Sequence, residues 1–183
     1  MSKAVVFVLG PDRPGIIAAV SQVLFEKGCN LEDVNQTSLQ SQFVGIFLAS
    51  LGGPAREAEL LSALRERLEP QGLFVHLRPV DPAAVRTATP AEPYVITTIG
   101  PDRPGLVAGI TGLLAHYGAN ITNLKAVSRA DRARQEYVMF YEVDIPADTD
   151  RQAFRAALRA RARELGLDVN FQHREIFEQV HRI

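Results

Sequence analysis

The hexapeptide Gly10-Pro11-Asp12-Arg13-Pro14-Gly15 recurs as Gly100-Pro101-Asp102-Arg103-Pro104-Gly105. Each copy follows a short apolar run, residues 4–9 in one case and 94–99 in the other, and each precedes a stretch with helical periodicity. The repeated object is therefore a strand, a loop and a helix start.

The correspondence extends outward from the loop. At an offset of 90, Ile16, Ile17, Ala18 and Val20 fall on Leu106, Val107, Ala108 and Ile110, and Gly28-Cys29-Asn30-Leu31 falls on Gly118-Ala119-Asn120-Ile121. Ser38 still meets Ser128. Beyond that point Phe43-Val44 aligns with Tyr137-Val138, and Gly72-Leu73-Phe74-Val75 with Gly166-Leu167-Asp168-Val169, at an offset of 94. Four extra residues thus belong in a surface turn of the second copy, around 129–136.

Within a copy the periodicity changes in a fixed order. Residues 3–9 read as a buried strand, and residues 14–27 carry Ile17, Val20, Val23 and Leu24 on one helical face, stopped by Gly28. Residues 30–39 and 42–51 read as a hairpin. Pro54 opens a second helix with the stripe Leu61, Leu64 and Leu68, and a strand runs over 73–80. The second copy predicts a strand over 94–99, a helix over 104–117 and a hairpin over 120–145. A helix over about 149–165, with Phe154, Ala157, Leu158 and Leu165 inward, and a strand from 167 to about 176 complete it. The order β-α-β-β-α-β is the ferredoxin-like unit, an α+β fold with helices on one face of an antiparallel sheet. The predicted organisation is a first domain over 1–80, a linker over 81–92 with two prolines, a second domain over 93–177 and a tail over 178–183.

A chain of 183 residues buries roughly 70% of its unfolded surface, whereas a single copy would be marginal alone, so the copies or whole chains are expected to pack together, most simply as a homodimer. Lysine and arginine number 20 against 21 acidic residues, a net charge of −1 that offers no footprint for direct nucleic-acid binding. The opening residues are too short for a signal peptide, and no apolar run is long enough to span a membrane. With Cys29 as the one cysteine, a reducing, cytoplasmic setting is expected.

The loop has the composition of a helix start. Asp12 and Asp102 are predicted as N-caps, Pro14 and Pro104 as first-turn residues, and Gly15 and Gly105 as positions where a missing Cβ lets a ligand approach the backbone. A helix N-terminus with free N–H groups receives an anionic group such as a carboxylate. With Asp12 and Asn30 reaching an ammonium or amide, the arrangement reads as a small amino-acid site; a well-capped turn is the alternative. Arg13 and Arg103 match although a first-turn arginine does nothing for the helix dipole. Asn30 and Asn120 match although their neighbours Cys29 and Ala119 do not.

The D-R-P-G-[IL] loop, the helix ending in Gly-x-Asn-[IL] and the element order resemble the ACT domain, a regulatory module that binds amino acids. Two such units with no other domain, and the stretch Gly28-Cys29-Asn30-Leu31-Glu32-Asp33, are similar to the glycine cleavage system transcriptional repressor family. The resemblance implies a non-enzymatic protein acting through a partner transcription regulator. It also implies a ligand set of Asp12, Arg13, Gly15, Ile16 and Asn30 in one copy and Asp102, Arg103, Gly105, Leu106 and Asn120 in the other, with the asparagine contact made across an interface. Many ACT domains carry asparagine where this chain has Asp12 and Asp102; an aspartate pairs with a ligand ammonium and repels its carboxylate.

No cofactor or metal is expected, since His76, His116, His173 and His181 lack ligand spacing. Cys29 reads as a small buried residue, and Arg129, Arg132 and Arg134 as a solvated turn or, less simply, a patch for an acidic partner. Two other functions fit parts of the pattern. An acylphosphatase-type hydrolase would use Arg13 on a phosphoryl group and Asn30 to orient water. A stand-alone interaction module would need no ligand.

Overall fold

The computed structural model describes residues 2–52, 56–80, 90–131 and 134–181, with side chains described for all of these except 129–131, 134–135 and 178–181. Pro54, most of the linker over 81–92, Arg132 and the last two residues of the tail therefore lie outside the described residues. The side chains of Arg129, Arg134 and His181 do too.

The chain divides into two compact units, Met1–Arg86 and Thr87–Ile183. The first contains β1 (Ser2–Pro11), α1 (Ile16–Glu26), β2 (Asn30–Leu39), β3 (Gln42–Leu51), α2 (Arg56–Leu68) with a 3-10 turn at Glu69–Gln71, and β4 (Phe74–Val80). The second contains β5 (Ala91–Pro101), α3 (Leu106–His116), β6 (Asn120–Asp131), β7 (Arg134–Pro146), α4 (Arg151–Glu164), β8 (Asp168–His173) and α5 (Arg174–His181). Each unit holds one antiparallel sheet, in the orders β2-β3-β1-β4 and β6-β7-β5-β8. The two are ferredoxin-like βαββαβ folds.

Alternation along β1 sends Ala4, Val6 and Val8 into a core shared with Ile16, Val20, Val23 and Leu24 of α1 and Leu60, Leu64 and Leu68 of α2. The helical stripes are rotated slightly from the predicted ones. Ile16 rather than Ile17 faces inward, and Leu60 replaces Leu61, because helices starting at Ile16 and Arg56 present these positions to the sheet. In α4 the buried positions are Phe154, Leu158 and Ala162, while Ala157 and Leu165 are half-buried.

Both first helices end in the same way. Gly28 adopts φ 65°, its N–H donates to Phe25 O at 2.9 Å, and the Cys29 N–H donates to Leu24 O at 2.9 Å. This paired 5→2 and 6→1 closure satisfies the last helical carbonyls and drops residue 29 into the core. Gly118 and Ala119 repeat it on Ala115 O and Leu114 O. Cys29 is thus the buried residue expected, and burial pushes its thiol above the usual range.

The four extra residues of the second copy are not a looser turn. The first hairpin closes with Leu39↔Gln42, directly beyond Ser38↔Phe43. The second continues past Ser128↔Tyr137 through Arg129↔Glu136, Ala130↔Gln135 and Asp131↔Arg134, so the insertion lengthens the ladder. The first hairpin turns through Gln40 and Ser41 at φ 47° and 62°, the two-residue left-handed geometry that matches strand twist.

The last strand stops at His173 instead of running to Ile176. Arg174 reaches Thr122 Oγ1 at 3.3 Å, Asp144 Oδ1 at 3.5 Å and Glu142 Oε2 at 3.8 Å, and α5 begins there. The predicted tail from 178 is the second half of this helix.

Candidate functional site

The repeated hexapeptide spans the end of a strand and the start of a helix in both copies. Gly15 is the residue before the helix, at φ 95°, and Gly105 matches it at φ 90°. Neither helix receives a side-chain cap, and neither has an acidic residue in its first turn. A Cβ at either glycine would meet nothing within 4 Å, so the glycines serve the left-handed backbone and leave open space above it.

This corrects the predicted role of the aspartates. An N-cap side chain must accept from the first helical N–H groups, and Asp12 stands three residues ahead of Gly15. Its Oδ2 instead accepts from Ser38 Oγ at 2.6 Å, while its N–H donates to Ser41 O at 2.8 Å, which fastens the loop to the β2–β3 hairpin. Pro14 likewise precedes the cap. Asp102 makes no hydrogen bond or ion pair among the described residues. The N–H groups at the start of α1 and α3 are left to whatever occupies the space before them. By contrast, α4 is capped conventionally, with Asp150 Oδ1 accepting from Gln152 N at 2.9 Å and Ala153 N at 3.0 Å.

An open cleft faces each helix start. The first, of about 510 Å³, is lined by Asp12, Arg13, Gly15, residues 16–18, Gln36 and Phe43. The second, of about 890 Å³, is lined by residues 102–108, Thr111 and Tyr137. Gln36, Phe43, Thr111 and Tyr137 escaped the sequence reading as cleft residues, although the alignment had already set the aromatic ring of Phe43 against that of Tyr137.

The arginines line these clefts and also reach beyond them. Arg13 Nη2 donates to Gln71 Oε1, and Arg103 Nη2 to Glu164 O at 3.4 Å, so each reaches the end of the second helix of its copy. That gives the matched arginines a tethering role. The first glycine of the motif is fixed by packing, and in the first copy also by its φ of 153°: a Cβ at Gly10 would lie 2.7 Å from Gly72 O, and one at Gly100 the same distance from Gly166 O.

Asn30 is not brought to the loop of its own copy. It pairs with Ser50, which pairs with Lys3, whereas the loop follows Pro11. Eight residues of strand separate those levels, about 26 Å. Asn120 stands level with Asp144 and Pro93, far from Pro101 in the same way. The Arg13 and Asn30 pair that a phosphoryl-transfer site would need is likewise split.

Three of the histidines have aromatic neighbours. His76 lies 6.1 Å from the Phe7 ring, His116 makes an edge contact with Tyr117, and His173 makes one with Tyr94. Among the described residues no cluster of three or more His, Cys, Asp or Glu could hold a metal, and no helix is long and apolar enough to cross a membrane.

With that geometry in hand, the likeness to known proteins is decisive. A family model for the ACT domain matches residues 2–78 and again residues 92–172. The chain belongs to the ACT-domain family. The glycine cleavage system transcriptional repressor of Escherichia coli is 28% identical over 171 residues, which cover 92% of this chain and 86% of the repressor. A UPF0237 protein of Methanopyrus kandleri is 38% identical over 90 residues, 49% of this chain and 96% of its own, the size of one ACT domain. A solved structure from Galdieria sulphuraria superposes with a TM-score of 0.80 at 27% identity, covering 94% of this chain and 98% of that one.

Proposed function

We propose that this tandem ACT protein is a non-enzymatic sensor in which the clefts before α1 and α3 bind a small amino acid. One observation carries the reading: two uncapped helix starts, each opening on a cleft and each rimmed by the aspartate of the repeated loop. The free N–H groups and the positive end of the helix dipole suit a carboxylate, and Asp12 or Asp102 suits an ammonium. Arg13 and Arg103 border the ligand while holding the loop to the end of the second helix, and the asparagines stay out of the ligand's shell in their own copies. The resemblance to the E. coli repressor supports a transcription regulator of amino-acid or one-carbon metabolism as the downstream partner. Occupancy then acts on that partner only through the ligand's different affinity for two states of the protein.

Isothermal titration with glycine, serine and the branched-chain amino acids tests this. Binding that weakens in Asp12→Ala or Asp102→Ala supports the reading. No heat with any amino acid, or heat unchanged in both variants together, overturns it. Hydrolysis of an acyl phosphate that disappears in Arg13→Ala would establish an enzyme instead.

A further inference from the structure

Away from the ligand loops, a hollow of about 80 Å³ lies between α4 and β8, lined by Arg155, Leu158, Arg159, Val169, Asn170 and Phe171. The Arg155 guanidinium stands 5.0 Å from the centre of the Phe171 ring, whose neighbour Tyr94 stacks at 4.5 Å. The guanidinium groups of Arg159 and Arg163 make no hydrogen bond or ion pair among the described residues. Arg155, Arg159 and Arg163 are spaced four apart, so they share a helix face as a basic stripe about 12 Å long. The stripe is distinct from Arg151, committed to Glu92 at 3.2 Å, and from Arg161, committed to Glu164 at 2.9 Å.

The first copy lacks this feature. Leu61 and Arg65 stand at the aligned positions, and Arg65 pairs with Glu69 at 3.4 Å. Helix α2 balances three arginines with three glutamates, whereas α4 carries five arginines and one glutamate. Uncompensated like charges along one helix face are mildly destabilising in isolation. The border strand β8 adds a second property, since it is the last strand of its sheet and hydrogen-bonds only to β5 within it.

We propose that the α4–β8 border docks an extended acidic segment of a partner protein, with carboxylates on Arg155, Arg159 and Arg163 and main chain alongside β8. Guanidinium forks match carboxylates, and an open sheet edge matches a strand. A nucleic-acid backbone would use the arginines but gain nothing from the strand edge, and the chain's net charge of −1 works against it.

Fluorescence anisotropy of the full chain with a fluorescein-labelled glutamate-rich peptide tests the proposal. Expected are binding at low salt, a loss of about tenfold or more in Arg155→Glu/Arg159→Glu, retention in Arg155→Lys/Arg159→Lys, and no change in Arg65→Glu. The same peptide with alternate residues replaced by proline, unable to pair as a strand, should bind more weakly. The proposal is overturned by absence of peptide binding to the wild type, by equal loss in Arg65→Glu, by unchanged binding in the reversal variant with native circular dichroism, or by tighter binding of a labelled DNA duplex than of the peptide.

Discussion

Asp12 and Ser38 are joined by a 2.6 Å hydrogen bond, and their counterparts Asp102 and Ser128 are not. The loop of the first copy is therefore pinned to its hairpin through a side chain as well as through the Ser41 carbonyl. Among the described residues, the carboxylate of the second loop makes no such bond.

That asymmetry sets an order for the alanine variants. Asp12→Ala should cost about 1 kcal/mol, the net worth of a hydrogen bond at an exposed site, and Asp102→Ala less than about 0.5 kcal/mol. Urea unfolding of both variants and of Ser38→Ala checks this. Equal losses at the two aspartates would contradict it.

The motif glycines separate backbone conformation from packing. Gly15→Ala and Gly105→Ala meet no clash but must hold an alanine in the left-handed region, at a cost of about 1 to 2 kcal/mol. Gly100→Ala, where no left-handed φ is required, places a methyl group 2.7 Å from the Gly166 carbonyl oxygen and should cost more, about 3 kcal/mol. Thermal unfolding of the three variants ranks them.

Gln40 and Ser41 occupy left-handed positions that asparagine and glycine fill at lower cost. Gln40→Asn/Ser41→Gly should raise stability by about 0.5 to 1 kcal/mol without moving the Asp12 N–H bond, which uses only the Ser41 carbonyl. Denaturant midpoints measure the gain.

Burial pushes the Tyr141 phenol up to about 12, and its hydroxyl donates to Met139 Sδ at 3.1 Å. The unfolded phenol ionises near 10, so this contribution is fully present below about pH 10 and is lost as the pH rises toward 12. The loss amounts to about 2 kcal/mol, and Tyr141→Phe should flatten that part of the stability curve measured between those pH values. A variant curve as steep as the wild type would refute the assignment.

Element order was legible because the duplication let each copy check the other, and the hairpin limits 30–39 and 42–51 match β2 and β3. That Asp12 braces the hairpin instead of capping the helix was not, because its spacing to Gly15 resembles a cap until the left-handed φ of Gly15 is known. Asn30 read as a neighbour of the loop because Gly28 ends the helix that the loop begins. Only strand register reveals that the helix has carried the chain to the opposite end of the sheet. The offset of 94 revealed an insertion but could not say that its residues pair, since pairing depends on the partner strand. Phe43 and Tyr137 were visible as a matched aromatic pair, yet nothing local in the sequence ties them to a cleft formed by residues some thirty positions away.

The close approach of Gly100 to the Gly166 carbonyl joins the root of the repeated loop to the turn that leads into β8. No side chain stands between the two backbones there, so no rotamer change can open a gap between them. In the second ACT domain the repeated loop therefore stands one backbone approach away from the strand edge bordering the arginine stripe, whereas the matching approach in the first domain, at Gly10 and Gly72, leads to a strand beside a charge-balanced helix.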